Sequence, residues 1–245
     1  TPMKDYRISH TSERIVKQYE EVIYRAGSYD SMLWRWEQGV LEQEVKELRR
    51  DVPGIEYLDF GCGTGRILLF LEEHAAHSVG VDPAEAMINV ARGRVIRAHL
   101  IIADITQNDV LSGRVFDFVT AFRIFLNSQP RLREEMLSVL APKLRDGHSL
   151  FIFNIHGNLL SHRFFAKLWY LIRGKRLNTL TYGQAKRLAE RHGLRVVRWY
   201  GFGVVPKILY RVIGSAIAYR LDRFFTHIPG ARHISYDLVF VCKKK

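Results

Sequence analysis

The chain has 245 residues, 47% of them apolar and 25% charged, and carries a net charge of +12. That length suits one substantial core, a single domain with insertions sooner than two full domains, and the composition excludes a fibrous or disordered chain. The two cysteines, Cys62 and Cys242, lie far apart without metal-ligand spacing, which argues against a disulfide framework or zinc site and suits a reducing cytoplasm.

In chain order, "TPMKDYRISH" has no apolar core after its basic residues, so no signal peptide is expected. Thr11 or Ser12 can cap a helix running to about Arg25. After a break at "AGSYD", Ser31 opens a second helix with Leu33, Trp34, Val40, Leu41, Val45 and Leu48 on roughly one face. From Ile55 the period changes. Strands are expected at 55–61, 77–82, 98–104, 116–122 and 148–156, with helices near 65–74, 84–93 and 131–144 between them. Short apolar strands alternating with amphipathic helices indicate a parallel, doubly wound sheet buried on both faces.

After Gly157 a helix near 180–192 precedes a strand at 194–202, and "ISYDLVFVCKK" closes the chain as another strand. The intervals 157–179 and 203–233 are too long for plain connections, so they are expected to carry function or cover a core. The basic excess is confined to this last third: residues 157–245 hold 18 Lys+Arg against 3 Asp+Glu, a net +15. Segments 158–176 and 204–225 read as basic, aromatic-rich amphipathic helices, the composition of an interfacial segment. The apolar run Val212 to Tyr219 is bounded by arginines and falls short of the roughly 20 residues a membrane span needs, so the chain is not expected to cross a bilayer.

The stretch "YLDFGCGTGRI" (57–67) places a glycine turn between a strand and a helix. A dinucleotide-binding turn wants a small residue at its sixth position, where this chain has Arg66, and the lysine of a phosphate-binding loop is missing. What remains is a turn whose backbone can close around a compact charged group.

"LDFGCGTG", followed by "VGVDPAEAM", "IIADI" and "FDFVTAF", resembles the successive signatures of class I S-adenosylmethionine-dependent methyltransferases, over about 55–156. "YDLVFVCKK" is similar to that family's last, antiparallel strand. The resemblance implies a Rossmann-like seven-stranded sheet, six strands parallel and the last antiparallel, in one domain: an N-terminal helical cover (1–53), a cofactor-binding core (54–156) and a basic acceptor-side region (157–245), with helical insertions before and after the sixth strand. It implies S-adenosylmethionine as cofactor and S-adenosylhomocysteine as product. Asp59 would attract the cofactor's ammonium group, Gly61, Gly63 and Gly65 would let the backbone approach it, and Asp82 would accept from the ribose hydroxyls. Met87 would pack on adenine, Asp104 beside Ile105 would accept from the adenine amino group, and Phe122 would lie nearby. Tyr29 closes over the cofactor or simply packs. Singly, an Asp at a strand end is more often a cap or turn former; three at successive strand ends favour a ligand.

For the acceptor side, Arg123, Asn127, Asn154, His156 and Asn158 are expected near the carboxyl ends of the fourth and fifth strands. His156 is a base or a histidine bonded to loop backbone; Arg123 holds a substrate carboxylate or phosphate, or forms a structural ion pair. "AFRIFLN" lacks the tetrapeptide of enzymes that methylate the amino groups of adenine or glutamine, and no Pro-Cys pair supports cytosine chemistry. The pattern fits a small-molecule, lipid or sugar-lipid acceptor. The basic third admits three partners: none beyond this chain, as a lid or homodimer interface; an anionic membrane, with the protein cytoplasmic and peripheral on its inner face; or, less favoured, RNA. A non-catalytic partner subunit that retains cofactor binding is the rival to an enzyme.

Overall fold

The computed structural model describes residues 27–228 and 230–245; the helix expected over 11–25 lies outside them. Seven strands form one sheet: β1 (Glu56–Phe60), β2 (His77–Asp82), β3 (His99–Ile102), β4 (Phe118–Ala121), β5 (Leu150–His156), β6 (Leu194–Phe202) and β7 (Asp237–Lys244). Their order is β3-β2-β1-β4-β5-β7-β6. Neighbours from β3 to β5 run parallel, and β7 runs antiparallel to both β5 and β6. The sheet thus has the expected six parallel strands and one antiparallel strand, with β7 inserted between β5 and β6.

Successive residues of a strand face opposite sides. Leu58, Phe151, Phe153 and Phe240 enter the core on one face, while Tyr57, Ile152, Val239 and Val241 enter the core on the other. Both faces are therefore apolar and both need helices. The first is covered by α4 (Pro130–Leu140) and α6 (Tyr182–Arg191), through Leu132, Leu137, Ala185 and Leu188. The second is covered by α1 (Tyr29–Asp51) through Leu33, Leu41, Val45 and Leu48, with α2 (Arg66–Leu71) beside it. Each fully buried side chain of this size stabilises the fold by about 1.5–3 kcal/mol.

Several boundaries differ from expectation for identifiable reasons. The second N-terminal helix starts at Tyr29, not Ser31: Ser28 is the cap, and its Oγ accepts from the Ser31 amide at 3.0 Å. The helix expected over 131–144 ends its α-turns at Leu140, because Pro142 supplies no amide for their continuation, and a 3-10 turn follows over Ala141–Lys143. The basic segment 204–225 is two helices, α7 (Lys207–Ile213) and α8 (Ser215–Thr226), broken at Gly214, whose φ of 82° an α-helix does not admit. The remaining helices are α3 (Glu85–Arg92) and α5 (Arg163–Ile172). No helix among the described residues is long and apolar enough to cross a membrane.

Candidate functional site

The chain leaves β1 for β2 on one side and returns to β4 on the other, so the strand order reverses between β1 and β4. In such sheets the ligand crevice lies beyond the carboxyl ends of the strands at the reversal, and a cleft of about 1020 Å³ opens there. Of the residues expected around a cofactor, Asp59, Gly61, Gly63, Asp82, Met87, Asp104 and Phe122 line it; Tyr29, Gly65 and Ile105 do not. Met136 of α4, which the sequence reading missed, also contributes.

Asp59 is fixed from one side only. Its Oδ1 accepts from the Thr120 hydroxyl at 2.7 Å, and Thr120 in turn lies 2.7 Å from the Tyr57 hydroxyl. Its Oδ2 is buried without a hydrogen-bond partner among the described residues. Burial pushes this carboxyl up to about 7, against the lowering effects of Thr120 and Arg66. A buried oxygen at the wall of a cleft, reluctant to ionise until a cation arrives, suits a positively charged ligand group.

Asp82 organises the turn: Oδ2 accepts from the Gly63 amide at 3.0 Å and Oδ1 from the Ala84 amide at 2.8 Å. Both oxygens keep a lone pair for a ligand, so this use is compatible with hydroxyl recognition. The glycines divide the labour. Gly61 has φ 67°, and a Cβ there would collide with Ile124; Gly63 has φ 53°, and a Cβ there would meet nothing within 4 Å. Gly61→Ala is therefore expected to cost overpacking of about 1–3 kcal/mol in addition to backbone strain. Gly63→Ala should cost only the strain, about 1–2 kcal/mol, while crowding the ligand. Melting curves and S-adenosylmethionine titrations of the two variants check this contrast; equal melting temperatures would refute it.

Asp104 lines the cleft while its Oδ1 accepts from the amide and hydroxyl of Thr106, at 3.0 and 2.6 Å. Ile105 is turned into the hydrophobic core instead. Gly65 caps α2 with φ 79°, and a Cβ there would lie 3.1 Å from Ala91 and Val95; its role is close approach of protein to protein. Tyr29 is buried, with its hydroxyl donating to the Gly203 carbonyl at 3.2 Å and its ring against Tyr210 and Tyr236.

The acceptor-side residues divide differently from expectation. Arg123 lines the cleft but is engaged inward: its guanidinium donates to Asp30 at 2.8 Å and to Glu37 at 3.5 Å. Its φ of 62° makes it the one non-glycine residue in the left-handed region among the described residues, and its amide donates to Asn154 Oδ1 at 2.7 Å. Asn154 also donates to Glu37 and Asp237, at 2.9 and 3.0 Å. Burial, then the adjacent Glu37 charge, holds the Asp237 carboxyl well above its usual range. His156 does not line the cleft; burial, reinforced by Arg123 and Arg163, holds its imidazole well below the ordinary range, which makes it a poor base. Asn127 sits in a turn closed by its amide on the Ile124 carbonyl. Asn158 donates to the His233 and Ser235 carbonyls at 2.8 and 2.9 Å, clasping the loop before β7.

Glu37 was invisible as a site residue. The available signal was an acid within the apolar stripe of α1, between Leu33 and Leu41, and it is completely buried. Arg66 connects this network to the glycine turn, lying 3.5 Å from Glu37 with its guanidinium 3.9 Å above the Trp34 ring.

Residues 58–143 match the family model described as a methyltransferase domain. Over 86 residues the chain is 34% identical to malonyl-[acyl-carrier protein] O-methyltransferase of Serratia marcescens; the match takes in 34% of this chain and 31% of that protein. Among solved structures, magnesium protoporphyrin IX methyltransferase of Synechocystis PCC 6803 with bound S-adenosylhomocysteine superposes with a TM-score of 0.66 at 18% identity, covering 98% of each chain. A S-adenosylmethionine-dependent methyltransferase from Clostridium acetobutylicum gives 0.61 at 11% identity, over 94% of this chain and 98% of that one. At such identities these structures speak for the fold.

Proposed function

We infer, from a chain built as a class I S-adenosylmethionine-dependent methyltransferase with its methyltransferase domain at residues 58–143, that it binds S-adenosylmethionine and transfers its methyl group to an oxygen or nitrogen of a small-molecule, lipid or sugar-lipid acceptor. One observation carries the reading: three strand-end carboxylates, Asp59, Asp82 and Asp104, and the unobstructed backbone at Gly63 face a single cleft at the point of strand reversal.

The residues fit that cofactor. The partnerless Oδ2 of Asp59 supplies an acceptor for an ammonium group, and charge-assisted bonds of this type are about twice as strong as neutral ones. Asp82 offers acceptors for hydroxyls, while Met87 and Phe122 give an apolar wall for a ring. When bound, S-adenosylmethionine supplies a methyl group on a cationic sulfur, which an acceptor lone pair displaces in line to leave S-adenosylhomocysteine. The chain's own part is orientation and exclusion of water. With His156 held neutral and away from the cleft, the reading requires no base on the protein where the acceptor arrives deprotonated.

The matched residues 58–143 hold the carboxylates and glycines proposed for the donor, so the acceptor class is read from residues 157–245 and from the sequence "AFRIFLN" at the carboxyl end of β4. Calorimetric titration with S-adenosylmethionine and S-adenosylhomocysteine is expected to show one site for each. Absence of heat with both would remove the reading. Incubation of cell extract with the protein and isotope-labelled cofactor, followed by mass spectrometry, should then reveal a labelled methylated product; binding without product would favour the non-catalytic subunit.

A further inference from the structure

We propose that α5, α7 and α8 form a docking face for an anionic phospholipid bilayer, and that a cleft between the start of α1 and α8 receives lipid head groups. The inference rests on the proposed methyl transfer only for its purpose, delivery of an acceptor from the membrane; the binding itself stands or falls separately.

Helix α5 has no buried residue along its length, unusual for a segment so apolar. Phe165, Trp169 and Ile172 are 73%, 53% and 75% exposed, and on α7 and α8 Ile208, Val212 and Phe224 are 69%, 74% and 65% exposed. Isolated apolar residues on a surface need no explanation, but runs of this size mark contact with another phase or partner.

The electrostatics select the partner. Of the three acids in residues 157–245, Asp222 and Asp237 are buried, which leaves Glu190 as the acid that reaches this third's surface. Of the eighteen cations, Arg191, Arg198, Lys207 and Lys244 pair with acids from earlier in the chain and Lys186 pairs with Glu190. Among the described residues no acid lies within ion-pair distance of Arg163, Lys167, Arg220 or Arg223, the cations of α5 and α8 beside the exposed apolar side chains. A second copy of this chain would bring the same positive surface and be repelled, whereas an anionic bilayer accepts apolar side chains and basic ones together.

Beside the apolar residues, a cavity of about 870 Å³ is lined by Arg35, Arg220 and Arg223 together with Ser31, Ser215 and Tyr219. Among the described residues no carboxylate lines it. Three guanidinium groups and hydroxyls around one concavity match a phosphate-bearing head group.

The face also adjoins the candidate active site. His162, the residue before α5, and Tyr210 of α7 both pack on Tyr29, with ring centroids 6.4 and 5.0 Å away. Lys207, the first residue of α7, lies 3.4 Å from Asp30, the same carboxyl that pairs with Arg123 at the cleft wall. A molecule leaving the bilayer between α5 and α7 would arrive at the acceptor side of the cleft.

The test is flotation with vesicles of phosphatidylcholine and phosphatidylglycerol in equal parts, and with phosphatidylcholine alone. The protein is expected to float with the anionic vesicles at low salt and not with the neutral ones. The Arg220→Ala/Arg223→Ala double variant should partition about 30-fold less, from the worth of each cation near such a surface. Phe165→Ser/Ile172→Ser should lose flotation at every salt concentration, and both variants should keep wild-type calorimetric binding of S-adenosylhomocysteine. No flotation of the wild type would overturn the proposal, as would unchanged flotation of either variant. A salt-sensitive shift with tRNA without vesicle binding, or a concentration-dependent dimer abolished by Phe165→Ser/Ile172→Ser, would likewise replace it.

Discussion

Asp59→Asn is expected to raise the melting temperature of the ligand-free protein at pH 8 while weakening S-adenosylmethionine binding by about 10- to 100-fold. The folded state holds this carboxyl at about 7 against a usual value of 3.8, chiefly through burial. An acid whose pKa is raised on folding destabilises the fold once ionised, so its cost is absent below the usual value, grows as pH rises toward 7, and is complete above it. The shift corresponds to at most about 4 kcal/mol, and asparagine, neutral at every pH, relieves it. The amide keeps an oxygen for the Thr120 hydroxyl, so the Tyr57–Thr120–Asp59 chain survives. What it loses is the charge that an ammonium group would find, worth about 1.5–3 kcal/mol for a hydrogen bond to a charged group. Melting curves should diverge between variant and wild type most at pH 8, less at pH 5, and not below about pH 4. Wild-type affinity should also decline below about pH 7 as Asp59 takes up a proton, and the variant's should not. A variant that melts like the wild type at pH 8 would show that Asp59 is not strained by burial, and one that binds equally well would show that it is not engaged by the ligand.

The parts legible in the sequence are those that depend on backbone and periodicity. Strands with apolar residues on both faces announce a covered parallel sheet, and the glycines after β1 announce a turn whose φ values other residues avoid. Asp59, Asp82 and Asp104 could be placed on one cleft because each lies at or just beyond the carboxyl end of a readable strand. The acceptor side was less legible because its contacts span long stretches of chain. Glu37 meets Asn154 117 positions away and Arg123 86 positions away, so nothing local separates it from an exposed helical glutamate. Arg123 itself looked equally suited to a substrate anion, and only its proximity to Asp30 and Glu37 assigns its charge inward. Gly214 was readable as a glycine but not as a break, since glycine is tolerated within helices at about 1 kcal/mol.

That inward assignment changes what Arg123→Ala should do. If the arginine met only substrate, its removal would lower turnover and leave the fold intact. In the structure, removal leaves Glu37, completely buried, with Asn154 at 2.9 Å and Arg66 at 3.5 Å, beside a second buried carboxyl, Asp237. Deleting one partner of a buried ion pair costs about 3–5 kcal/mol where the remaining charge is stranded; with Arg66 still 3.5 Å from Glu37, the low end of that range, about 3 kcal/mol, is expected. For a chain of this length that is a fall of roughly 10 °C in melting temperature, with turnover falling as a consequence. The diagnostic is compensation. Glu37→Gln removes the stranded charge while keeping an oxygen for Asn154, so Arg123→Ala/Glu37→Gln should recover much of the stability lost in the single variant. Thermal melts of the four proteins in this cycle measure the coupling directly. Additive losses, or a single variant that melts like the wild type, would return Arg123 to the acceptor. Coupling would instead make the Arg123–Glu37–Asn154–Asp237 group the rigid floor on which the carboxyl ends of β4 and β5 and the amino end of the antiparallel β7 are held together beneath the cleft.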